Sequence, residues 1–235
     1  IRLADRTAVH QEILVRILDR NGGTVLPGQF IEVAESLGMA GEIDLRVVSK
    51  VIDVLQGPDM RGRKTRFFVN LSRSSISDPH WARRFQSMLA TAPIDHSQLV
   101  FEITETAAMS SVDVTQEFIA QMKALGCRFA LDDFGAGFSS FYFLKRFDVD
   151  YLKIDGSLVR DLACDDASRL FVRALCDVAR GLNKQVVAEW VEDQSVMDIL
   201  VEMGVQYGQG YLFARPLPFP VVAAARQRVQ AGKRA

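Results

Sequence analysis

Short apolar runs, separated by segments of helical spacing, set the pattern of this chain. The runs are EILVRI (12–17), RFFVNL (66–71), LVFEITE (99–105), RFALDD (128–133), YLKID (151–155), QVVAEWV (185–191) and YGQGYLF (207–213). Each is short and bounded by polar or turn-forming residues, as the strands of a buried sheet are. Between them the period changes. One helix is predicted from Pro27 through Phe30, Ile31, Val33 and Ala34 to Gly38. A second carries Val112, Phe118, Ile119, Met122 and Leu125 and stops at Gly126. A third, Ala167 to Leu182, repeats Leu170, Phe171, Ala174, Leu175 and Val178 on one face and ends near Gly181. Proline at a helix start and glycine past its end are sound boundary signals. Strands alternating with helices predict a parallel sheet.

The apolar start Ile1 to Leu3 suggests one more strand. Its link to the next run is only about six residues, Ala4 to Val9. A parallel crossover needs about a dozen, so this pair is expected to be an antiparallel hairpin. The economical fold is α/β: a modified TIM-type (β/α)8 barrel with its first strand antiparallel, one domain over residues 1–235. A doubly wound open sheet is the alternative, but no glycine-rich dinucleotide loop follows any run.

Polar residues interrupt these runs at telling places. Glu12 starts the first of these runs and Asn70 closes the second. Glu102 and Glu105 lie in the third, Asp132 and Asp133 end the fourth, and Lys153 and Asp155 close the fifth. Glu189 and Glu192 close the sixth, and Gln209 lies in the seventh. A single such carboxylate is ordinarily a structural ion-pair partner. Several strands carrying one together predict a site, because barrel enzymes gather catalytic groups at the C-terminal strand ends. Glu12 is the exception in position, since it lies near the beginning of its run.

The adjacent pair Asp132 and Asp133 demands a cation. Neighbouring side chains on a strand face opposite ways, and two carboxylates about 4 Å apart repel by roughly 4 kcal/mol at an effective dielectric near 20. The donors are hard oxygens of Glu, Asp and Asn, with His10, His80 and His96 read as loop or helix residues. That set suits Mg²⁺, Mn²⁺ or Ca²⁺. There are more carboxylates than one Mg²⁺ usually takes from protein. A pair of ions sharing one aspartate fits, an arrangement that activates water and stabilises the leaving oxygen in phosphodiester cleavage.

Composition narrows the partners. Hydrophobic residues make up 49% and charged residues 24% of the 235-residue chain, and the net charge is −1. No basic field recruits a nucleic-acid polymer or an anionic membrane. No apolar run approaches the roughly 20 residues of a membrane span, and no signal peptide is visible. Cys127, Cys164 and Cys176 have no metal-type spacing and fit reduced thiols in the cytoplasm. The chain begins at Ile1, inside an apolar pattern, and reads as a fragment of something longer.

These residues carry a resemblance to the EAL domain family, phosphodiesterases that cut cyclic di-GMP to a linear dinucleotide. The matching motifs are "EILVR" at 12–16 against the family's EALxR, "PGQFIEVAESLGM" at 27–39, "VNLS" at 69–72 and "EITE" at 102–105. They continue with "DDFGAGFSS" at 132–140, "KID" at 153–155, "AEWVE" at 188–192 and "QGYLF" at 209–213. The resemblance implies a barrel with a reversed first strand, and two Mg²⁺ or Mn²⁺ ions per active site, with Ca²⁺ inhibitory. It implies that Glu12, Asn70, Glu102 and Asp132 hold one ion, and that Asp132 (bridging), Asp133 and Glu189 hold the second. Lys153 resembles the lysine that orients the attacking water, with Asp133 and Glu189 in the catalytic set. Arg16, Leu14 and Gln209 resemble substrate-binding residues. Glu105 resembles the glutamate that pins the glycine-rich loop "FGAGFSS". Family members often dimerise and often follow a GGDEF or sensor domain. This chain would then be cytoplasmic, alone or as the cytoplasmic part of a membrane-anchored protein.

Two positions depart from the family pattern: Ile13 replaces alanine, and Trp190 replaces the glycine of AEGVE. The tryptophan ring either crowds Glu189 and covers the pocket or packs between barrel and helix. The glutamine of the family's QPI-type strand would precede Ile1. A degenerate EAL domain that binds cyclic di-GMP without cutting it is one alternative function. A Mg²⁺ barrel enzyme that abstracts a proton beside a carboxylate, with Lys153 as base, is another.

Overall fold

The structure, a computed structural model, describes residues 1–135 and 141–219. Its strands are β1 (His10–Ile13), β2 (Ile17–Leu18), β3 (Thr24–Val25), β4 (Arg66–Asn70), β5 (Leu99–Thr104), β6 (Arg128–Phe134), β7 (Tyr151–Ile154), β8 (Gln185–Ala188) and β9 (Tyr207–Gly208). The helices are α1 (Pro27–Ser36), α2 (Ala40–Gln56), α3 (Arg73–Ser77), α4 (Pro79–Thr91), α5 (Glu105–Ser110), α6 (Val112–Ala124), α7 (Phe141–Arg146), α8 (Gly156–Arg160), α9 (Asp166–Gly181) and α10 (Gln194–Glu202). The seven strands β1, β4, β5, β6, β7, β8 and β9 pair in that order, all parallel, while β2 and β3 form a small antiparallel ribbon. Strand order follows chain order without reversal, so the wall is that of a TIM-type barrel and has no topological switch point.

The start of the chain lies between the two ends of this wall. Ile1–Leu3 is not a strand among the described residues. Arg2 makes isolated antiparallel bridges to Thr7 and Tyr207. The Leu3 amide donates to the Gln206 carbonyl at 3.0 Å and the Gly208 amide to that of Ile1 at 2.9 Å. Single bridges do not amount to the reversed first strand expected from the short link.

Strand alternation sorts the side chains into two populations. Phe67, Val69, Phe101, Ile103, Phe129, Leu131, Leu152, Ile154, Val186 and Ala188 face outward into the large core under the helices. Phe68, Val100, Ala130, Tyr151, Val187 and Tyr207 form a separate cluster inside the barrel. His10 belongs to that inner layer, contrary to its reading as a loop or helix residue. Its ring lies 4.4 Å from Tyr207 and 5.0 Å from Phe68, and burial pushes its pKa down to about 3. One residue cannot reveal its strand from sequence when the run around it begins with a polar Gln11 and Glu12.

The helices begin and end for local reasons. Pro27 opens α1, and Gly38, at φ 67°, follows its end. Asp165 caps α9, its carboxylate accepting from the amides of Ala167 and Ser168. The buried stripe of α9 is Val172, Leu175, Cys176 and Ala179, spaced three and four residues apart. Leu170 and Phe171 are exposed, so the predicted face was about one residue out of phase. Several apolar residues on one helix allow two overlapping stripes, and the sheet chose between them.

Candidate active site

Two residues further along each inward-facing register position, the lining turns from apolar to polar. Above His10, Phe68, Val100, Ala130, Tyr151, Val187 and Tyr207 stand Glu12, Asn70, Glu102, Asp132, Lys153, Glu189 and Gln209, in that order. The period of two sends both sets to the same face, and their lead in chain direction puts the polar layer at the C-terminal mouth. Glu12 joins them because β1 begins at His10 and ends at Ile13, which makes Glu12 a strand-end residue. Its apparent position at the start of an apolar run was a matter of where the strand starts.

Lys153 is the hub of the layer. Its Nζ lies 2.7 Å from Glu102 Oε1, 2.8 Å from Glu189 Oε1, 2.9 Å from Asp132 Oδ1 and 3.6 Å from Glu12 Oε2. The three shortest contacts are at hydrogen-bonding distance, and Lys153 and Glu102 are both fully buried. Asn70 Nδ2 donates to Glu12 Oε1 at 3.2 Å and Glu102 Oε2 at 3.1 Å. Gln209 Nε2 donates to Glu12 Oε2. The amides thus hold the carboxylates on one side and the ammonium holds them on the other.

Asp133 reaches the same group by a backbone device. In the β6–β7 register, Leu131 pairs with Leu152 and Phe134 with Ile154, so Asp132 and Asp133 together oppose the single Lys153. Such a bulge adds one residue to one strand and re-aims its side chain. Asp133 sits at φ 54°, and its amide donates to Asp132 Oδ1 at 3.0 Å. Oxygens of Asp132, Asp133 and Glu189 all come within 4.8 Å of one another. Plain alternation would have sent Asp133 to the opposite side of the sheet.

Electrostatics follow from this crowding. Burial and then the neighbouring Glu12 and Asp132 hold Glu102 well above the usual carboxylate range, against the pull of Lys153. Burial raises Glu189 to about 7, with Asp132 adding to it and Lys153 opposing. Asp133 is raised by burial and by Asp132 beside it. Burial alone would depress Lys153, but Glu102, Glu12, Asp132 and Glu189 outweigh it and hold the ammonium well above its ordinary value. Asp44 gives the contrast. It too is buried with a raised pKa, chiefly from burial, but its Oδ2 accepts from the Ser72 amide and Ser75 hydroxyl. Asp44 is a structural carboxylate held by neutral donors, whereas Glu102 shares a single ammonium with three other carboxylates.

The remaining predicted residues stand apart. Arg16 is exposed and its guanidinium donates to the Val15 carbonyl at 2.8 Å. Leu14 is partly exposed just past β1. Glu105 is buried at the start of α5, directly after Thr104 caps that helix. Of the loop "FGAGFSS", Phe134 and Gly135 are described, Gly135 at φ 99°, and residues 136–140 lie outside the described residues. Glu192 is exposed and does not join the layer. Trp190 does not displace Glu189. Its own backbone is at φ 51°, it is half exposed, and its ring lies on Gly156 of α8. A glycine at this place in the family pattern was the signal of that left-handed conformation.

The donor set fits divalent ions. Every candidate ligand atom is an oxygen from a carboxylate or an amide, the choice of Mg²⁺ and Mn²⁺. Four carboxylates lie 2.7–3.6 Å from one ammonium, and Asp133 adjoins two of them. More positive charge balances the excess.

Known proteins carry the same arrangement of sequence and fold. The family model described as EAL domain matches residues 1–216. The cyclic di-GMP phosphodiesterase PdeF of Escherichia coli (strain K12) is 33% identical over 213 residues, 91% of this chain and 28% of that protein. The cyclic di-GMP phosphodiesterase PdeB of Shewanella oneidensis is 36% identical over 207 residues, 88% of this chain and 24% of that protein. The chain therefore spans about a quarter of the length of these curated relatives. Among solved structures, the PaMucR phosphodiesterase in complex with c-di-GMP superposes with a TM-score of 0.82 at 30% identity, covering 91% of this chain and 87% of that one. The FimX EAL domain from Pseudomonas aeruginosa bound to c-di-GMP gives 0.82 at 30%, covering 90% and 85%.

Proposed function

Because the chain belongs to the EAL domain family, we propose that it is a metal-dependent phosphodiesterase that hydrolyses cyclic di-GMP to linear 5'-pGpG. The observation that carries this reading is the oxygen layer of Glu12, Asn70, Glu102, Asp132 and Glu189 gathered around the buried Lys153, with Asp133 swung in by the bulge. The relatives named above as cyclic di-GMP phosphodiesterases support it.

Glu12, Asn70, Glu102 and Asp132 would hold one Mg²⁺ or Mn²⁺, and Asp132, Asp133 and Glu189 the other. Bound ions of this kind lower the pKa of water and neutralise charge on a phosphodiester. Ca²⁺ is larger and looser in its coordination, which makes it an inhibitor in this reading. Lys153 stays charged and donates a hydrogen bond to the attacking water, fixing its line of approach to phosphorus. Water oxygen forms the new bond to phosphorus while the bond to the ribose 3'-oxygen breaks. One of the rim carboxylates Asp133 and Glu189 would take the proton from the attacking water and release it to solvent, and the departing 3'-oxygen would take a proton from solvent water. Arg16 grips the other phosphate, a task its planar fork suits. Leu14 lines the substrate's approach, and Gln209 keeps Glu12 aimed. Glu105 steadies the glycine-rich loop. In the whole protein we expect a homodimer, linkage to a GGDEF or sensor domain, and a cytoplasmic location.

The decisive experiment is incubation with cyclic di-GMP and Mg²⁺ or Mn²⁺, followed by chromatography of the nucleotides. A linear product that disappears with a chelator supports the proposal. Tight nucleotide binding with no product under any metal would favour the non-hydrolytic receptor instead.

A further inference from the structure

Trp190 is a bulky residue held where bulky residues rarely go. At φ 51° its backbone lies in the left-handed region, which a large side chain enters only when its surroundings compel it. Two hydrogen bonds fix it there. The Glu189 amide donates to the Ile154 carbonyl at 3.2 Å, and the Val191 amide to the Gln209 carbonyl at 2.9 Å. The direction of the ring is set by strands on both sides.

The ring is supported on one side. A Cβ placed on Gly156 would meet Trp190 Cδ2, Cγ and Cε3 at 2.2, 2.3 and 2.7 Å, so only glycine leaves room. The Arg160 guanidinium carbon lies 4.8 Å from the ring centroid. Gly156 and Arg160 are four residues apart on α8 and share one helix face. The indole therefore lies across that face, and the rest of it is open: Trp190 remains 50% exposed. Packing explains the supported side. It does not explain why a strained backbone presents the rest of the indole to water.

What lies next to it does. Trp190 directly follows Glu189, whose carboxylate is 2.8 Å from Lys153 and belongs to the three-carboxylate group. We propose that Trp190 is a substrate-binding residue, a stacking platform for one purine base of a cyclic dinucleotide whose phosphate sits at the carboxylate layer. The proposal rests on the phosphodiesterase reading of that layer. Purines stack on indole through their π faces, and Gly156 and Arg160 keep the platform flat and stationary. A fixed ring costs the substrate little ordering on binding.

The test uses Trp190→Ala and Trp190→Phe with two substrates, cyclic di-GMP and bis(p-nitrophenyl) phosphate, a diester without purines. Trp190→Ala should raise KM for cyclic di-GMP by roughly 5- to 150-fold, the range of one lost base stack, and Trp190→Phe by less. The preference for cyclic di-GMP over the purine-free diester should fall by the same factor. Tryptophan emission gives a second readout, because the chain has two tryptophans and Trp81 is buried against Phe85. Cyclic di-GMP should quench the exposed one, and the quench should vanish in Trp190→Phe. Wild-type turnover with no quench and an unchanged preference in Trp190→Ala overturns the platform alone. A lowered Tm with both substrates losing rate in parallel overturns it too, leaving a structural bolt. A wild-type protein that neither binds nor cuts cyclic di-GMP overturns the phosphodiesterase reading along with it.

Discussion

Lys153 Nζ and Glu102 Oε1 lie 2.7 Å apart, with side-chain exposures of 1% and 0%. Removing one member of a buried ion pair strands the other, at about 3–5 kcal/mol. Lys153 also faces Asp132 and Glu189 within 3 Å, so Lys153→Met should destabilise the metal-free protein by about that amount. Adding Mn²⁺ should restore part of the loss, because ions that bind the folded state stabilise it by mass action. Thermal melts with and without chelator measure both. Equal melting temperatures for the variant and wild type in chelator would show that Lys153 does not balance the cluster.

Turnover should separate the ligands from the lysine and the arginine. Glu12→Ala, Asn70→Ala and Asp132→Ala should each abolish hydrolysis, since each removes an oxygen from the shared layer. Lys153→Ala should lose turnover while keeping nucleotide affinity in calorimetry. Arg16→Ala should instead weaken binding by about 1.5–3 kcal/mol, the value of a hydrogen bond to a charged group. Wild-type turnover in Asp132→Ala would defeat the two-ion assignment, and the reverse order for Lys153 and Arg16 would exchange their roles.

The pH dependence of stability carries a sign set by Glu189. Its folded-state pKa is raised from 4.5 to about 7, so the folded protein holds a proton that the unfolded chain has released. The stabilisation is fully present below pH 4.5 and is lost as pH rises through about 7. Metal-free protein should therefore melt progressively earlier across that window, and Glu189→Gln should flatten this part of the profile. A melting temperature that climbs steadily from pH 5 to 7, equally in both proteins, would contradict the shift.

Gly41 tests the packing that holds the outer layer. A Cβ there would lie 2.7 Å from Trp81 Cδ1, and Trp81 is pinned by its 2.7 Å hydrogen bond to the Gly41 carbonyl and its stack on Phe85. Alanine in a helix normally gains about 0.5–1 kcal/mol over glycine. Here overpacking should win, with a net loss of about 1–3 kcal/mol, read by urea denaturation. A more stable Gly41→Ala protein would mean that the indole shifts freely.

The sequence by itself determined the alternation of strands and helices and the outline of the site. Apolar periodicity is a local property, and so is the step of two along a strand that sets Glu102 above Val100, Asp132 above Ala130 and Lys153 above Tyr151. Ordered motifs therefore carried the family and most of the layer. What needed a partner strand was decided only in three dimensions. The bulge that turns Asp133 toward Asp132 is a mismatch between β6 and β7, which neither strand encodes alone. The buried face of α9 was chosen by the sheet beneath it, and His10 became an inner-layer residue once β1 paired with β4. Lys153 meets carboxylates supplied by four other places in the chain, and Trp190 rests on Gly156, thirty-four residues earlier. Such contacts join residues far apart in sequence, and their geometry exists only after the strands have paired into the curved wall.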